Sequence, residues 1–181
     1  MTPPVVKRVD AQRNRAKILS VAEGMFAASG LVVSVDDIAR RAKVGIGTLY
    51  RHFPTKDALV AAIVIERIAR IADHTEALLG QTDAAAALFG LIERLIEEGI
   101  QKRDFVDSLG ATGFLETPAL EEARARFKRA LGKLLARAQR QGHVRDDVQA
   151  SDITAVVRGL FTADPKTRAR LLRFFCDGLR P

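Results

Sequence analysis

Of 181 residues, one is a cysteine, one a tyrosine and none a tryptophan. The lone thiol, Cys176, excludes a disulfide within the chain and any metal site built from several cysteines. Lying among phenylalanines near the end of the last helical segment, it reads as a core thiol instead of a redox sensor. The three histidines, His52, His74 and His143, are scattered, and no HExxH, GxSxG or GxxxxGK[ST] pattern occurs. No catalytic residue, metal or cofactor is therefore expected, and the chain is not read as an enzyme. No apolar run reaches the roughly 18 residues of a membrane span, and MTPPVVKR lacks the apolar stretch of a secretion signal. The expectation is a cytoplasmic protein with no membrane partner. Sustained strand-type alternation is also missing. Every segment instead carries a helical period, so the fold class is all-α. No internal repeat or low-complexity stretch is visible, and a chain of this length buries on the order of 70% of its unfolded surface without staples.

What is present is charge, and it is uneven. Residues 1–53 hold nine Lys or Arg against four Asp or Glu, whereas 54–181 hold twenty against eighteen. A basic N-terminal third on a nearly neutral remainder suits a domain that meets a polyanion. In that third lies the stretch Ser34–Lys56, SVDDIARRAKVGIGTLYRHFPTK. Ser34 is a helix cap, and Asp37 three residues on is placed to complete a capping box. Ile38 and Ala42 share an inward face, and Asp37, Arg40 and Arg41 point to water. A second short helix follows over about 45–52, with Leu49 and Phe53 inward. Two helices joined this tightly make a helix-turn-helix, whose second helix fits a DNA major groove.

The outward residues of that second helix suit the task. Gly45 and Gly47 strip side chains from its first turn, so backbone N–H groups approach a phosphate or base edge. Thr48 offers a hydroxyl and a methyl to bases, with Ile46 beside it. Tyr50, Arg51, His52 and Lys56 are donors for phosphate oxygens, joined by Ser34 at the cap and by Arg13 and Lys17 on the preceding helix.

DDIARRAKVGIGTLYRHFPTKDALVAAI resembles the DNA-binding signature of TetR-type transcriptional regulators, over about residues 11–65, with Gly47–Leu59 the most specific part. The resemblance implies three N-terminal helices that bind an operator and a larger helical domain that binds a small ligand and dimerises. It also implies that Gly45, Ile46 and Thr48 face bases while Tyr50, His52 and Lys56 grip the backbone. Three positions depart from the pattern. Lys43 stands where the turn usually has glycine, which demands a left-handed conformation of a non-glycine residue. Gly45 replaces a capping hydroxyl, and Asp36 replaces a basic residue, so no phosphate contact is carried onto it.

Around this stretch, residues 1–9, with Pro3 and Pro4, read as a flexible arm. Asp10 reads as the cap of a helix to Ser29, with Ile18, Ala22, Met25 and Phe26 inward and Gly30 as its stop. Pro54 and Thr55 open a helix to about Leu79, some 37 Å at 1.5 Å per residue. It is long enough to serve both domains and to transmit movement between them. Further helices are expected over about 84–102, 117–141 (Thr117 cap, Pro118 first residue), 151–162 (Ser151 cap) and 164–179 (Asp164 cap). An element broken by Gly110 and Gly113 falls over 104–116, for about nine helices in all. Candidate pocket walls are Phe89, Ile92, Phe105, Leu109, Phe114, Phe127 and Leu131, with Asp107, Ser108 and Thr112 as polar contacts. Candidate dimer-interface residues are Ile153, Val156, Val157, Leu160, Phe161, Leu171, Phe174 and Phe175.

The domain expectation is an arm over 1–9, a helix-turn-helix domain over 10–54 and a ligand-binding and dimerisation domain over 55–181. The functional expectation is a homodimeric repressor of a pseudo-palindromic double-stranded DNA operator, released by a small apolar or aromatic effector. The alternative is a helical small-molecule-binding or protein-interaction module with no gene-regulatory DNA binding.

Overall fold

The structure, a computed structural model, describes residues 5–100 and 117–181, with residues 5–8 and 100 described through their backbone alone. Its elements are α1 (Val5–Ser29), a 3₁₀ turn (Gly30–Val32), α2 (Val35–Arg41), α3 (Ile46–His52), α4 (Lys56–Leu78), α5 (Ala84–Ile100), α6 (Pro118–Arg140), α7 (Ala150–Leu160) and α8 (Pro165–Gly178). Among the described residues there is no strand, and the fold is all-α as expected, with eight α-helices. The element expected over 104–116 lies outside the described residues. So do Phe105, Asp107, Ser108, Leu109, Gly110, Thr112, Gly113 and Phe114, and Pro3 and Pro4 of the arm.

Among the described residues the chain divides into a unit over 5–66 and a second over 67–100 and 117–181. The first has a small core. Ile18, Ala22 and Phe26, one turn apart on α1, meet Ile38, Ala39 and Ala42 at α2, Leu49 and Phe53 at α3, and Leu59, Val60 and Ile63 on α4. α1 begins at Val5, not at the expected Asp10 cap. No helix breaker stands between Val5 and Asp10, so the helix continues through Asp10, and Val5–Val9 is helical backbone instead of an arm. Its stop is where the sequence places it, because Gly30 takes φ 68°, a conformation that costs a residue without Cβ little.

The second unit packs α5, which is apolar over a wide face (Leu88, Leu91, Ile92, Ile96), against Leu131, Leu134, Leu135 and Ala138 of α6 and Ile153, Val157 and Leu160 of α7. Thr117 caps α6 by accepting from the Leu120 N–H at 3.2 Å, and Gly142, at φ 73°, follows its C-terminus. Asp164 caps α8 by accepting from the N–H groups of Lys166 and Thr167, both at 3.1 Å, and the Thr167 hydroxyl first, then these N–H groups, hold its carboxyl below the usual range. α7 differs from expectation. Its cap is Gln149, whose N–H donates to the Asp152 carboxylate at 2.9 Å, and Ser151 already lies inside the helix. Asp152 three residues on was the usable signal.

Burial also corrects the interface set. Ile153, Val157 and Leu160 are sealed in their own unit's core, so a partner chain cannot reach them. Phe161 is half-buried, and its ring lies on the backbone of Gly99, where an added Cβ would stand 2.1 Å from the ring. The apolar face of α7 is thus consumed by α5. Periodicity marks such a face but not which neighbour covers it.

Candidate nucleic-acid interface

Around α2 the expected turn forms, with one change at its start. The Ser34 hydroxyl accepts from the Asp37 N–H at 3.1 Å and donates to the Asp37 carboxylate at 2.7 Å. The carboxylate therefore meets the hydroxyl and the Arg40 guanidinium, one turn on, not the Ser34 N–H that a full capping box requires. Arg40 draws it outward along the helix surface.

At the other end of α2 the chain turns by a Schellman arrangement. Val44 N–H donates to the Ala39 carbonyl at 3.0 Å and Lys43 N–H to the Arg40 carbonyl at 3.1 Å. That geometry needs a left-handed residue at position 43, and Lys43 supplies it at φ 53°. The strain expected from the missing glycine is present, and Val44, packed against the core, holds the turn closed. The turn delivers the chain to Gly45 in an extended conformation (φ −66°, ψ 141°), which caps α3 through its carbonyl alone.

α3 buries one side and opens the other. Leu49 and the following Phe53 are sunk in the core. Gly45, Ile46, Gly47, Tyr50 and Arg51 are exposed, Tyr50 at 46% and Ile46 at 39%, with Thr48 and His52 half-buried at the margins. A Cβ on Gly45 would meet only the Thr48 hydroxyl, at 3.8 Å, and one on Gly47 would meet nothing within 4 Å. Packing among the described residues therefore demands neither glycine. Their effect is on the outward surface, which stays bare beside unpaired N–H groups at the start of a helix. The helix itself is only two turns long, so its position depends on the helices around it.

Arg13 and Lys17, one turn apart on α1, are exposed, as is Ser34. Sequence reasoning assigns no DNA contact to Arg41 or Lys43, yet both are exposed and flank the turn into α3; the signal for them is that two cations stand next to it. Lys56 is placed otherwise. It is half-buried, donates to the Leu31 carbonyl, and lies 5.8 Å from the centre of the Phe26 ring. Arg15 of α1 makes a similar tie, 5.5 Å over the Phe53 ring and 4.0 Å from the Glu66 carboxylate.

In the second unit the described pocket candidates are packed together as core. Ile92 and Leu131 are fully buried, and Phe89 and Phe127 are half-buried against the same cluster. The Arg180 guanidinium lies 5.5 Å over Phe89. Of the candidate interface, Val156 and Phe175 are half-buried, whereas Leu171 and Phe174, three residues apart on α8, are exposed, Phe174 at 64%. Cys176 is half-buried on the same helix; burial pushes its thiol up, and the Glu93 carboxylate adds to the effect. Among the described residues no group of His, Cys, Asp and Glu is placed to hold a metal ion, and no helix is long and apolar enough to cross a membrane.

Comparison with known proteins bears on both units. Residues 18–63 match the family model described as bacterial regulatory proteins, tetR family, and residues 83–181 match that of the SbtR-like transcriptional regulator C-terminal domain. Among solved structures, the chain is similar to a TetR transcription regulatory protein from Mycobacterium vanbaalenii (44% identity, TM-score 0.79, covering 96% of this chain and 99% of that one). It is also similar to the TetR regulator SCO0520 from Streptomyces coelicolor (35% identity, TM-score 0.74, covering 92% and 98%). Over 83 residues, 45% of this chain, it is 37% identical to the HTH-type transcriptional repressor Rv3405c of Mycobacterium tuberculosis; the match spans 40% of that repressor's length.

Proposed function

Because this chain belongs to the TetR family of bacterial regulatory proteins, we propose that it is a transcriptional repressor that binds a pseudo-palindromic DNA operator as a homodimer and is released by a small apolar or aromatic effector. The observation that carries this reading is the open side of α3. Tyr50 and Arg51 stand exposed beside the bare Gly45–Gly47 edge, with the Thr48 hydroxyl at its margin. Thr48, Gly45 and Ile46 face bases; Tyr50, Arg51 and His52, with Arg13 and Lys17 from α1, meet phosphates. Leu171 and Phe174 of α8, joined by Phe175, offer apolar surface to a second copy, so that two reading helices reach successive turns of one duplex face. The effector binds in the part over 55–181. It prefers a state of the dimer in which the reading helices are wrongly spaced, so DNA in turn disfavours the effector. α4 is suited to carry this linkage, since one continuous helix has its first residue in one unit and its last in the other.

The test is binding to duplex fragments selected from the source genome. Affinity should fall steeply with added salt. Tyr50→Phe should weaken selected and random duplex alike, and Thr48→Ala should chiefly lower the preference between them. Indifference to both changes would refute the contact assignment, and no binding at low salt would favour a helical module that does not act on genes. Phe174→Glu should shift the sedimentation of the protein from dimer to monomer; an unchanged dimer would remove α8 from the interface.

A further inference from the structure

The outward side of α8 carries charge as well as the apolar Leu171 and Phe174, and the order of that charge is informative. We propose that α8 pairs antiparallel with α8 of a second copy, Arg170 of each chain meeting the partner's Asp177, and that this charge pattern selects a like chain as partner. The inference rests on the homodimer reading above and deepens it, since an apolar patch by itself fixes neither direction nor partner.

The charged residues form one stripe. Arg170, Phe174 and Asp177 lie at i, i+4 and i+7 on α8, which brings them to one side of the helix, and all three are exposed. The other side is already used. Leu172 and Phe175 pack against the core of their unit, and the Arg168 guanidinium donates to the carbonyls of Leu160, at 3.0 Å, and Ala163, just past the end of α7. The stripe therefore belongs to a fastened helix, so little ordering cost remains when a partner arrives.

Within the chain these charges are poorly matched. Arg170 has no ion pair among the described residues. Asp177 meets Arg180 at 3.0 Å with both side chains more than half exposed, a kind of pair that contributes little. Arg170 and Asp177 cannot satisfy each other, because seven residues of helix set them roughly 10.5 Å apart along its axis.

A second copy satisfies both at once. In a contact related by a two-fold axis, residue i meets j and j meets i. An antiparallel copy of α8, centred between Arg173 and Phe174, sets Arg170 against the partner's Asp177 and Asp177 against the partner's Arg170. At the centre each Phe174 ring lies beside the partner's Arg173, a cation next to an aromatic face. A parallel copy would instead oppose Arg170 to Arg170 and Asp177 to Asp177, two repulsions in place of two attractions. A polyanion is disfavoured on similar grounds, because Asp177 stands in the stripe.

The test reverses the charges in the full chain. Arg170→Glu alone and Asp177→Lys alone should each raise the dimer dissociation constant, read by sedimentation, by about ten-fold or more, since each turns two attractions across the axis into two repulsions. The double variant carrying both changes restores the pairs in reversed sense and should dimerise as the unaltered protein does. Mixing the two single variants should give heterodimer in excess of either homodimer by native mass spectrometry, which tells the chains apart by mass. Recovery on mixing also shows that neither single loss came from misfolding. Single variants that dimerise as before, or a double variant and a mixture no better than the singles, overturn the pairing and leave the homodimer reading standing. If the unaltered protein is a monomer at every concentration tested, the homodimer reading fails, and the pairing with it.

Discussion

The two units each divide their cations between structural ties and open surface. In the second unit Arg126 and Arg137 are turned to structural work, while Arg129, Arg158, Arg170 and Arg173 stand exposed. Arg126 of α6 reaches two carboxylates of α4, Glu76 at 2.8 and 2.5 Å and Asp73 at 2.7 Å. Arg137 donates to the carbonyls of Leu79 and, at 2.8 Å, Gln81, where α4 has ended. Gln141 completes the fastening by accepting from the Ala84 N–H at 3.0 Å and donating to the Thr82 carbonyl at 2.8 Å. The turn between α4 and α5 is thus gripped by the end of α6. In the first unit Arg15 and Lys56 make such ties, while Arg13, Lys17 and Arg51 remain at the surface. Net charge alone does not separate these roles. A cation with carboxylates or carbonyls in reach is part of the fold, and one left in water is available to a polyanion.

Four experiments would break or sharpen this contrast. The largest effect should come from emptying one core. Leu49→Ala, at a fully buried position, should cost about 2–5 kcal/mol, and if the units are separately stable, hydrogen exchange will quicken in α1–α3 and leave α5–α7 unchanged. Uniform quickening would show that the two fold as one.

Next, two glycines should respond with opposite sign. Gly99→Ala puts a Cβ 2.1 Å from the Phe161 ring and should cost about 1–3 kcal/mol in denaturant unfolding, with Phe161→Leu recovering part of it. Gly47→Ala, in open space within α3, should instead add stability of up to about 1 kcal/mol while impairing DNA binding, because the added methyl covers the bare edge.

A smaller effect concerns pH. The hydrogen bond from Arg126 holds the Glu76 carboxyl below its usual range. A carboxyl lowered by folding contributes stability above its unfolded value, near 4, and loses it as pH falls through the folded value. Unfolding midpoints of the protein and of Glu76→Gln should therefore differ at neutral pH and converge in acid. A difference that persists in acid would mean that the residue acts through packing.

The smallest change is at the reading helix. Gly45→Ser has room for its side chain, with only the Thr48 hydroxyl at 3.8 Å, and should gain a few tenths of a kcal/mol from the new cap, visible as a slight rise in melting temperature.

The reading pair was the most legible part of the chain. Ser34, the Lys43 turn, the uncapped Gly45 and the inward Leu49 and Phe53 are all local matters, decided within a few residues of backbone, and each lies where the sequence places it. Caps at Thr117 and Asp164 were legible for the same reason. The start of α1 was not, because Asp10 has the composition of a cap but nothing before it stops the helix. Ile153, Val157 and Leu160 show a different failure. Their spacing declares an apolar face, and two surfaces, the same chain's α5 or a second chain, satisfy that declaration equally. The groups that meet Lys56, the Leu31 carbonyl and the Phe26 ring, are likewise distant in the chain.

By itself, then, the amino-acid order determined helix type, most helix ends, the left-handed turn at Lys43 and the open character of α3, since these follow from backbone sterics, hydrogen bonds a turn apart and a period of 3.6 residues. Only the tertiary structure decided which apolar stripes are core and which, like Leu171 and Phe174, remain uncovered, and which cations are tied down. Those outcomes depend on distances between residues remote along the chain, and the free energy of burial or pairing is assigned only when a particular neighbour arrives.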